Sequence, residues 1–273
     1  MYLQGVYHSP RHLLLHVLFL LTIAFLYLER QHEDTLYHNI IRVTKEKEGR
    51  ETADTVYIRA LMQTIHTMMF NRQAIFRNTE VLSYKNQIFH SVDEDLMYGH
   101  GACGGFSKVL SRSLQLSGYR VRIGQMQVNG VLGGHIIVEV WLDAAKRWVV
   151  IDPFFLLTFP GADGYWAGFQ EIKRSWEQYR QLVPANYKPD YTYEGIRYTN
   201  WEKVPVAGKL VYALLELALG KEAAHGVSVR IYLLNMYAVW LNGAVLLFAL
   251  FCVFSYRRFH RQSQVRAVRA SQA

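Results

Sequence analysis

Apolar residues are concentrated in two long runs near the ends of this chain of 273 residues. Residues 231–256 contain no charged side chain and are long enough to cross a hydrocarbon layer about 30 Å thick as a helix. Residues 13–28 are broken only by His16 and Thr22, and fall slightly short of the usual lower limit for a span, about 17 residues. We therefore predict a membrane anchor over residues 1–30 and a transmembrane helix over residues 231–256.

Between these runs, the spacing of apolar residues is at first helical. They recur at three- and four-residue intervals from Gln31 to about Gln73, whereas residues 74–98 are weakly patterned. Residues 31–98 are thus predicted to form the helical N-terminal part of a soluble domain. A further helix is predicted from Cys103 to about Leu116, where Ser117-Gly118 provides a stop.

After that helix, apolar and polar residues alternate, which is the pattern of strands. The predicted strands are Arg120–Asn129, His135–Leu142 and Arg147–Asp152, separated by a turn over 130–134 and a hairpin connection over 143–146. A helix followed by an antiparallel sheet indicates an α+β domain, whose core and extension we place at residues 99–205.

The segment over residues 153–205 is rich in aromatic side chains, and a helix is predicted over 167–182. The aromatics have three open explanations, namely a substrate groove, packing over the sheet and contact with lipid headgroups. Residues 206–219 are apolar apart from Lys209 and Glu216 and are too short to span a membrane. We assign residues 206–230 to a membrane-proximal helix that is interfacial or buried.

The distribution of charge favours a membrane protein. The formal net charge is +8, and the tail over residues 257–273 carries five arginines and no acid directly behind the apolar run. Basic residues in this position are retained on the cytoplasmic side of a span. We therefore interpret residues 257–273 as a cytoplasmic tail. A nucleic-acid-binding arm is the rival interpretation, but we expect the membrane and no nucleic acid among the partners.

The first apolar run is interpreted as an uncleaved anchor, because Leu28-Glu29-Arg30-Gln31 lacks the small residues of a signal-peptide cleavage site. If both runs cross the membrane, both termini are cytoplasmic and residues 29–230 lie on the other side. Two spans, a small tethered domain and few cysteines indicate a bacterial inner (plasma) membrane protein with a periplasmic domain.

The chain has two cysteines, Cys103 and Cys252, and Cys252 lies within the second apolar run. A disulfide between them would join a membrane-buried sulfur to a soluble one. We therefore expect Cys103 to be a free thiol in an oxidising compartment, where an unpaired cysteine usually has a function. A buried, inert cysteine is the alternative.

Cys103 follows the glycine-rich turn Gly101-Ala102, and His135 and Asp152 come later, on two neighbouring predicted strands. An ordinary thiol, with a pKa near ~8.5, is mostly protonated at neutral pH. A helix start favours negative charge, an imidazole accepts the proton, and a carboxylate orients the imidazole. We therefore assign Cys103 as a nucleophile, His135 as its base and Asp152 as the orienting acid.

The remaining chemistry of the site is less well defined by the sequence. The backbone N–H of Cys103 is one candidate oxyanion donor, and Gln87, Tyr98 and His100 are candidates for a second donor or a supporting role. His100 is also a rival base. A metal bound by His100, Cys103 and His135 would match no standard zinc spacing, so we expect neither a metal nor another cofactor.

These motifs resemble those of the transglutaminase-like superfamily, relatives of the papain-type fold. The similarity covers about residues 95–156 and comprises Gly101-Ala102-Cys103, Gly118, His135 through Glu139-Val140, and Trp148 through Asp152-Pro153. It implies a cysteine-bearing helix packed on an antiparallel sheet, with catalytic roles for Cys103, His135 and Asp152. The chain departs from common family patterns at Ile136-Ile137, where Ala-Trp is frequent, and at Gly104, where the animal enzymes have Trp.

Together these features predict a membrane-anchored cysteine enzyme that acts on amide bonds, peptide or isopeptide, through a thioester at Cys103. Hydrolysis and acyl transfer share this intermediate, and both are open. The expected partners are a protein or peptide substrate and other subunits of a membrane complex. The alternative function is a non-catalytic transglutaminase-like scaffold subunit of a bacterial envelope-polysaccharide or secretion complex.

Overall fold

The structure is a computed structural model that describes residues 9–49, 53–76, 92–99, 101–199, 201, 208–227, 230 and 234–271. The α+β class predicted from the sequence is confirmed, because the described strands form a five-stranded antiparallel sheet flanked by helices. The chain divides into two compact units. The first unit combines the two ends of the chain, residues 1–34 and 236–273, and the second unit comprises residues 35–235.

Within the described parts of the chain, two helices are long and apolar enough to cross a membrane. Helix α1 covers Pro10–Glu48, and the last helix, α9, covers Met236–Ser271. Their most apolar stretches have mean hydropathies of 1.9 and 2.1. The sequence placed a boundary after residue 30, but α1 continues through it as one helix, because charged residues end the apolar pattern without breaking the backbone hydrogen bonds of a helix. The predicted start of the second span, residues 231–233, lies outside the described residues.

In the first unit, α1 and α9 pack side by side through aromatic rings. The ring centroids of His16 and Phe251 are 4.8 Å apart, and those of Phe19 and Phe248 are 5.6 Å apart. His12 reaches Phe259 at 5.0 Å. The polar break that His16 makes in the first apolar run therefore lies between the helices, where a polar group in a hydrophobic segment is best accommodated.

In the second unit, the helices described between the end of α1 and the sheet are α2 (Asp54–Phe76), α3 (Val92–Tyr98) and α4 (Cys103–Leu116). Helix α4 has the bounds predicted from the sequence, and Gly118 just beyond it has a φ of 92°, a left-handed conformation that glycine adopts without strain. The buried face of α2 follows a helical period: Tyr57, Ile58, Leu61, Met62, Ile65 and Met69.

The sheet has the strand order β4-β3-β2-β1-β5. Its strands are β1 (Val121–Val128), β2 (Val131–Leu142), β3 (Arg147–Asp152), β4 (Leu157–Thr158) and β5 (Ile196–Arg197). One face packs against α2 and α4 through a shared core that includes Phe106, Leu110, Val138, Val140, Val149 and Ile151. The cysteine-bearing helix therefore lies against the strands that carry His135 and Asp152.

The other face of the sheet is covered by the aromatic segment that follows β3. The buried residues of this layer include Phe159, Phe169, Ile172, Tyr187, Tyr191 and Tyr193, packed on Met126, Ile137 and Val150. Of the three explanations for the aromatics, packing over the sheet thus applies to these side chains.

Two expectations within this region are wrong in detail. The predicted turn over 130–134 is shorter: Asn129 and Gly130, with φ of 49° and 77°, make a two-residue turn, and β2 begins at Val131. Positive φ at both positions matches the twist of a hairpin. Gly134 instead lies within β2 at an irregularity in its pairing with β1, where a Cβ atom would come within 2.5 Å of the Val128 side chain.

The single helix predicted over 167–182 is instead three short pieces. These are α5 (Phe169–Arg174), α6 (Trp176–Tyr179) and a 3-10 turn at Arg180–Leu182. Ser175 leaves the helical conformation, with φ −120° and ψ 31°. The break is accompanied by packing of the Trp176 ring 5.2 Å from that of Tyr193, a contact that the helical period does not encode. Further along lie α7 (Gly208–Leu219) and α8 (Lys221–His225), within the segment assigned to a membrane-proximal helix.

Candidate active site

The three residues assigned to catalysis meet at one end of the sheet. His135 lies early in β2 and Asp152 is the last residue of β3. Val138 pairs with Ile151, so Asp152 and His135 lie diagonally across the two strands. Because alternate residues of a strand share a face, both side chains project to the same side of the sheet. The hairpin register is therefore what joins two residues that are 17 positions apart in sequence.

His135 and Asp152 form a fully buried hydrogen-bonded pair. The distance from His135 Nε2 to Asp152 Oδ2 is 2.5 Å, and neither side chain is exposed to solvent. The second oxygen, Oδ1, accepts hydrogen bonds from the backbone N–H groups of Phe154 at 3.1 Å and Phe155 at 3.4 Å. Both oxygens of the carboxylate are thus occupied, which fixes its orientation and that of the imidazole.

Cys103 completes the arrangement from the first position of α4. Burial by itself lowers the pKa of His135, but the charge and hydrogen bond of Asp152, together with the Cys103 side chain, outweigh burial and raise it to about 9. With Nε2 bonded to Asp152, the remaining ring nitrogen is Nδ1, a buried atom that has no hydrogen-bond partner among the described residues. Cys103 is partly exposed and forms no disulfide. A thiol that interacts with an oriented imidazole is suited to proton transfer.

Specific contacts hold the start of α4 against β2. Ser107, one helical turn after Cys103, donates a hydrogen bond from Oγ to the carbonyl of Ile136 at 3.1 Å. The turn before the helix is held by Gln73, whose Nε2 donates to the carbonyl of Gly101 at 2.8 Å. Gly101 has a φ of 76°, which favours glycine at this position. The elements that carry Cys103 and His135, the predicted nucleophile and base, are therefore held together by hydrogen bonds to the backbone.

Aromatic rings enclose the imidazole on the side of the sheet away from α4. The ring of Tyr191 stacks on His135 with centroids 4.2 Å apart and an angle of 13° between the planes. Phe155 lies at 5.7 Å and Tyr187 at 6.3 Å from the same ring. The density of aromatics is visible in the sequence, but the sequence does not single out these three as neighbours of His135. Their contact depends on the fold of a long loop, for which the sequence carries no local signal.

The candidates for a second oxyanion donor are only partly described. Gln87 and His100 lie outside the described residues, so their roles and the rival role of His100 as a base stay predictions. Tyr98 ends α3, and its ring packs against Phe76 with the centroids 5.4 Å apart. Within the described parts of the chain, no group of three or more His, Cys, Asp or Glu residues could hold a metal ion.

A comparison of the chain with protein-family models, with curated proteins and with solved structures found no match.

The His135–Asp152 pair is expected to make stability depend on pH in a defined window. The pKa of His135 is raised from its ordinary value of 6.5 to about 9 in the folded state, so the folded protein binds its proton more tightly than the unfolded chain does. The stabilisation is therefore complete below pH 6.5 and is lost as the pH rises through about 9, amounting to about 3 kcal/mol. Chemical denaturation of the full chain in detergent between pH 6 and 9.5 measures it. The variant His135→Gln serves as the control. If its free energy of unfolding depended on pH as steeply as that of the unmodified chain, the assignment to His135 would be contradicted.

Replacement of Tyr191 by alanine is expected to destabilise the protein by about 3 kcal/mol, because the stacked ring that covers His135 is removed. Tyr191→Phe keeps the ring and should cost much less. Tyr165→Ala, at a side chain that is 37% exposed, is the matched control and should have little effect on thermal unfolding. Equal destabilisation by the alanine and phenylalanine variants would instead assign the effect to the hydroxyl.

Proposed function

We propose that this protein is a membrane-anchored, transglutaminase-like cysteine enzyme that acts on amide bonds through a thioester at Cys103. The observation that carries the proposal is the buried imidazole of His135, which is held by Asp152 through Nε2 and accompanied by the Cys103 side chain. A helix bearing the cysteine packed on an antiparallel sheet is also the arrangement that the sequence resemblance implies.

In the first half of the proposed reaction, the proton of the Cys103 thiol is held on His135, whose pKa is raised to about 9, so that a thiolate and an imidazolium form an ion pair. The Asp152 carboxylate stabilises this cation and keeps the ring in position. The thiolate attacks the carbonyl carbon of the substrate amide and forms a C–S bond, and the carbonyl oxygen becomes negatively charged. The first N–H groups of a helix have no acceptor within it, so the backbone N–H of Cys103 is suited to bind this oxygen.

In the second half, the imidazolium donates its proton to the amide nitrogen, the C–N bond breaks and an amine leaves. The acyl group then remains on sulfur as a thioester. Water or a second amine, deprotonated by His135, attacks the thioester and releases Cys103. The two outcomes are hydrolysis and acyl transfer. The substrates are accordingly proteins or peptides, and the chemistry requires no metal or cofactor.

The cellular placement is part of the proposal. Two helices long and apolar enough to cross a membrane, with arginines concentrated after the second, support a bacterial inner-membrane location with both termini cytoplasmic. The catalytic unit would then be periplasmic. This predicts that a reporter that works only in the cytoplasm is active when it is fused after Ala273. A matched fusion after Gly220 should behave in the opposite way, and identical behaviour of the two fusions would contradict the topology.

The proposed function is tested with an electrophilic amide mimic, such as a peptidyl acyloxymethyl ketone, applied to the full chain in detergent. Intact-mass analysis should find one covalent adduct, and peptide mapping should locate it at Cys103. Modification should need a native fold and should be lost after denaturation, because an unfolded thiol lacks its base. An adduct at Cys252 alone, or none across a panel of peptide sequences, would contradict the proposal.

A second candidate function is a non-catalytic scaffold subunit of an envelope-polysaccharide or secretion complex. The observation that favours it is the closed aromatic cover, since Tyr191 stacks on His135 and leaves none of the imidazole exposed. A scaffold needs its shape but not its thiol. Normal complex function in cells that carry only Cys103→Ala would therefore favour the scaffold over the enzyme.

A further inference from the structure

Helix α7 directs its apolar side chains outward. Leu210, Leu214 and Leu217 are 65%, 56% and 85% exposed, far more than is usual for leucine in a folded unit. Spacings of three and four residues place them on one face of the helix. The neighbouring outward positions are also apolar and exposed: Val211, Ala213 and Ala218. The outward face of α7 is therefore hydrocarbon except at its edge.

The opposite face of α7 meets the folded unit. The Tyr212 ring lies 5.9 Å from the ring of Trp201, which is 8% exposed, and Gly208 is buried. Of the two charged residues in the helix, Glu216 is half-buried and Lys209 lies at the edge of the outward face. Helices on the surface of water-soluble proteins show the reverse pattern, with charged residues outward and apolar residues inward. The outer surface of α7 is thus suited to a hydrocarbon environment.

A lipid bilayer fits this face better than a protein partner does. Protein interfaces surround their apolar centre with hydrogen-bonding groups, whereas this face offers only aliphatic side chains. The helix has 12 residues, a length of about 18 Å, and so cannot cross a layer of about 30 Å but can lie in its surface. A bilayer is also close along the chain, because α9, a helix able to span it, begins at Met236.

We propose that α7 lies in the plane of the membrane interface, with Leu210, Leu214 and Leu217 inserted among the upper acyl chains. This is a third membrane contact, separate from the two candidate spans, and it belongs to the unit that carries Cys103. The proposal does not depend on catalysis. It can be tested in a protein without the reactive thiol.

The test uses the full chain, with Cys103→Ser and Cys252→Ser, reconstituted in phosphatidylcholine vesicles and labelled with an environment-sensitive fluorophore at Leu217→Cys. The matched control is Val131→Cys in the same background, since Val131 is 68% exposed at the start of β2, next to a hairpin turn of the same unit. Fluorescence at position 217 should be blue-shifted relative to position 131. Lipids with a shallow nitroxide should quench position 217 at least about twofold more than position 131.

Further variants separate insertion from misfolding. Leu214→Glu with Leu210→Glu should abolish the lipid quenching at position 217 while thermal unfolding of the protein is unchanged. Exchanging the two charges, Lys209→Glu with Glu216→Lys, should leave quenching intact because the outward apolar face remains. The proposal is overturned if the fluorophore at position 217 has the same emission wavelength and lipid quenching as the one at position 131. It is also overturned if the emission at position 217 is blue-shifted without lipid quenching, since that would indicate that a protein, such as a second copy, covers this face. Stronger quenching by a deep nitroxide than by a shallow one would also exclude an in-plane helix.

Discussion

Replacement of Cys103 by alanine is expected to reduce turnover of an amide substrate by at least about a thousandfold, because no thioester can form without the sulfur. The fold should be retained, since Cys103 is partly exposed at the start of α4 and a methyl group fits the space. Turnover is measured as kcat/KM on the best substrate found by covalent labelling. His135→Ala should cause a loss of similar size, because the effects of replacing residues that act together are not additive.

The matched control for that experiment is Cys252→Ala, which removes the other cysteine and lies in the helix α9. Its turnover should equal that of the unmodified chain. The double variant Cys103→Ala with His135→Ala should be no less active than either single variant. Turnover that survives the loss of Cys103 but falls with the loss of His135 would show that the imidazole acts without the thiol, and the thioester mechanism would be wrong.

Replacement of Asp152 by alanine is expected to destabilise the protein by about 3–5 kcal/mol at pH 6, because it leaves a buried histidine without its carboxylate partner. Two backbone N–H groups, of Phe154 and Phe155, would lose their acceptor as well. The loss should be smaller at pH 9, where the unpaired ring can remain neutral. Denaturant unfolding of the full chain at the two pH values measures both effects.

The matched control for Asp152 is Asp143, an aspartate in the exposed hairpin connection of the same sheet. Asp143→Ala should change the free energy of unfolding very little, because its ion pairs are open to solvent. Asp152→Asn keeps the shape and one hydrogen-bond acceptor, so it should be more stable than Asp152→Ala but still poorly active. If the Asp152→Ala variant were as stable as the Asp143→Ala variant, a structural role for the buried His135–Asp152 pair would be refuted.

The parts of the site that the sequence predicted are those set by local rules. The helix from Cys103 to Leu116 follows from the glycine turn before it and Gly118 after it. The approach of His135 to Asp152 follows from the length of the hairpin connection, because the register of an antiparallel pair decides which residues face one another. Two strands and one turn were enough to bring these side chains together.

The parts of the site that the sequence did not predict depend on contacts between distant segments. Tyr191 reaches His135 only because the chain returns over the sheet after β4. Nothing in the sequence distinguishes Tyr191 from the other tyrosines as a neighbour of His135. The break at Ser175 likewise reflects packing of Trp176 on Tyr193. The hydrogen bond from Ser107 to Ile136 joins two predicted elements, but the sequence does not give the distance between them.

Asp152 has a consequence for the path of the proton. Its two oxygens already accept hydrogen bonds, one from the imidazole and the other from the peptide groups that follow the strand. A carboxylate held by hydrogen bonds at both oxygens acts as a fixed counter-charge for the ring. In the proposed reaction, the proton removed from the Cys103 thiol would accordingly stay on the His135 ring until it is transferred to the leaving amide nitrogen. No proton relay would continue from the ring into the protein.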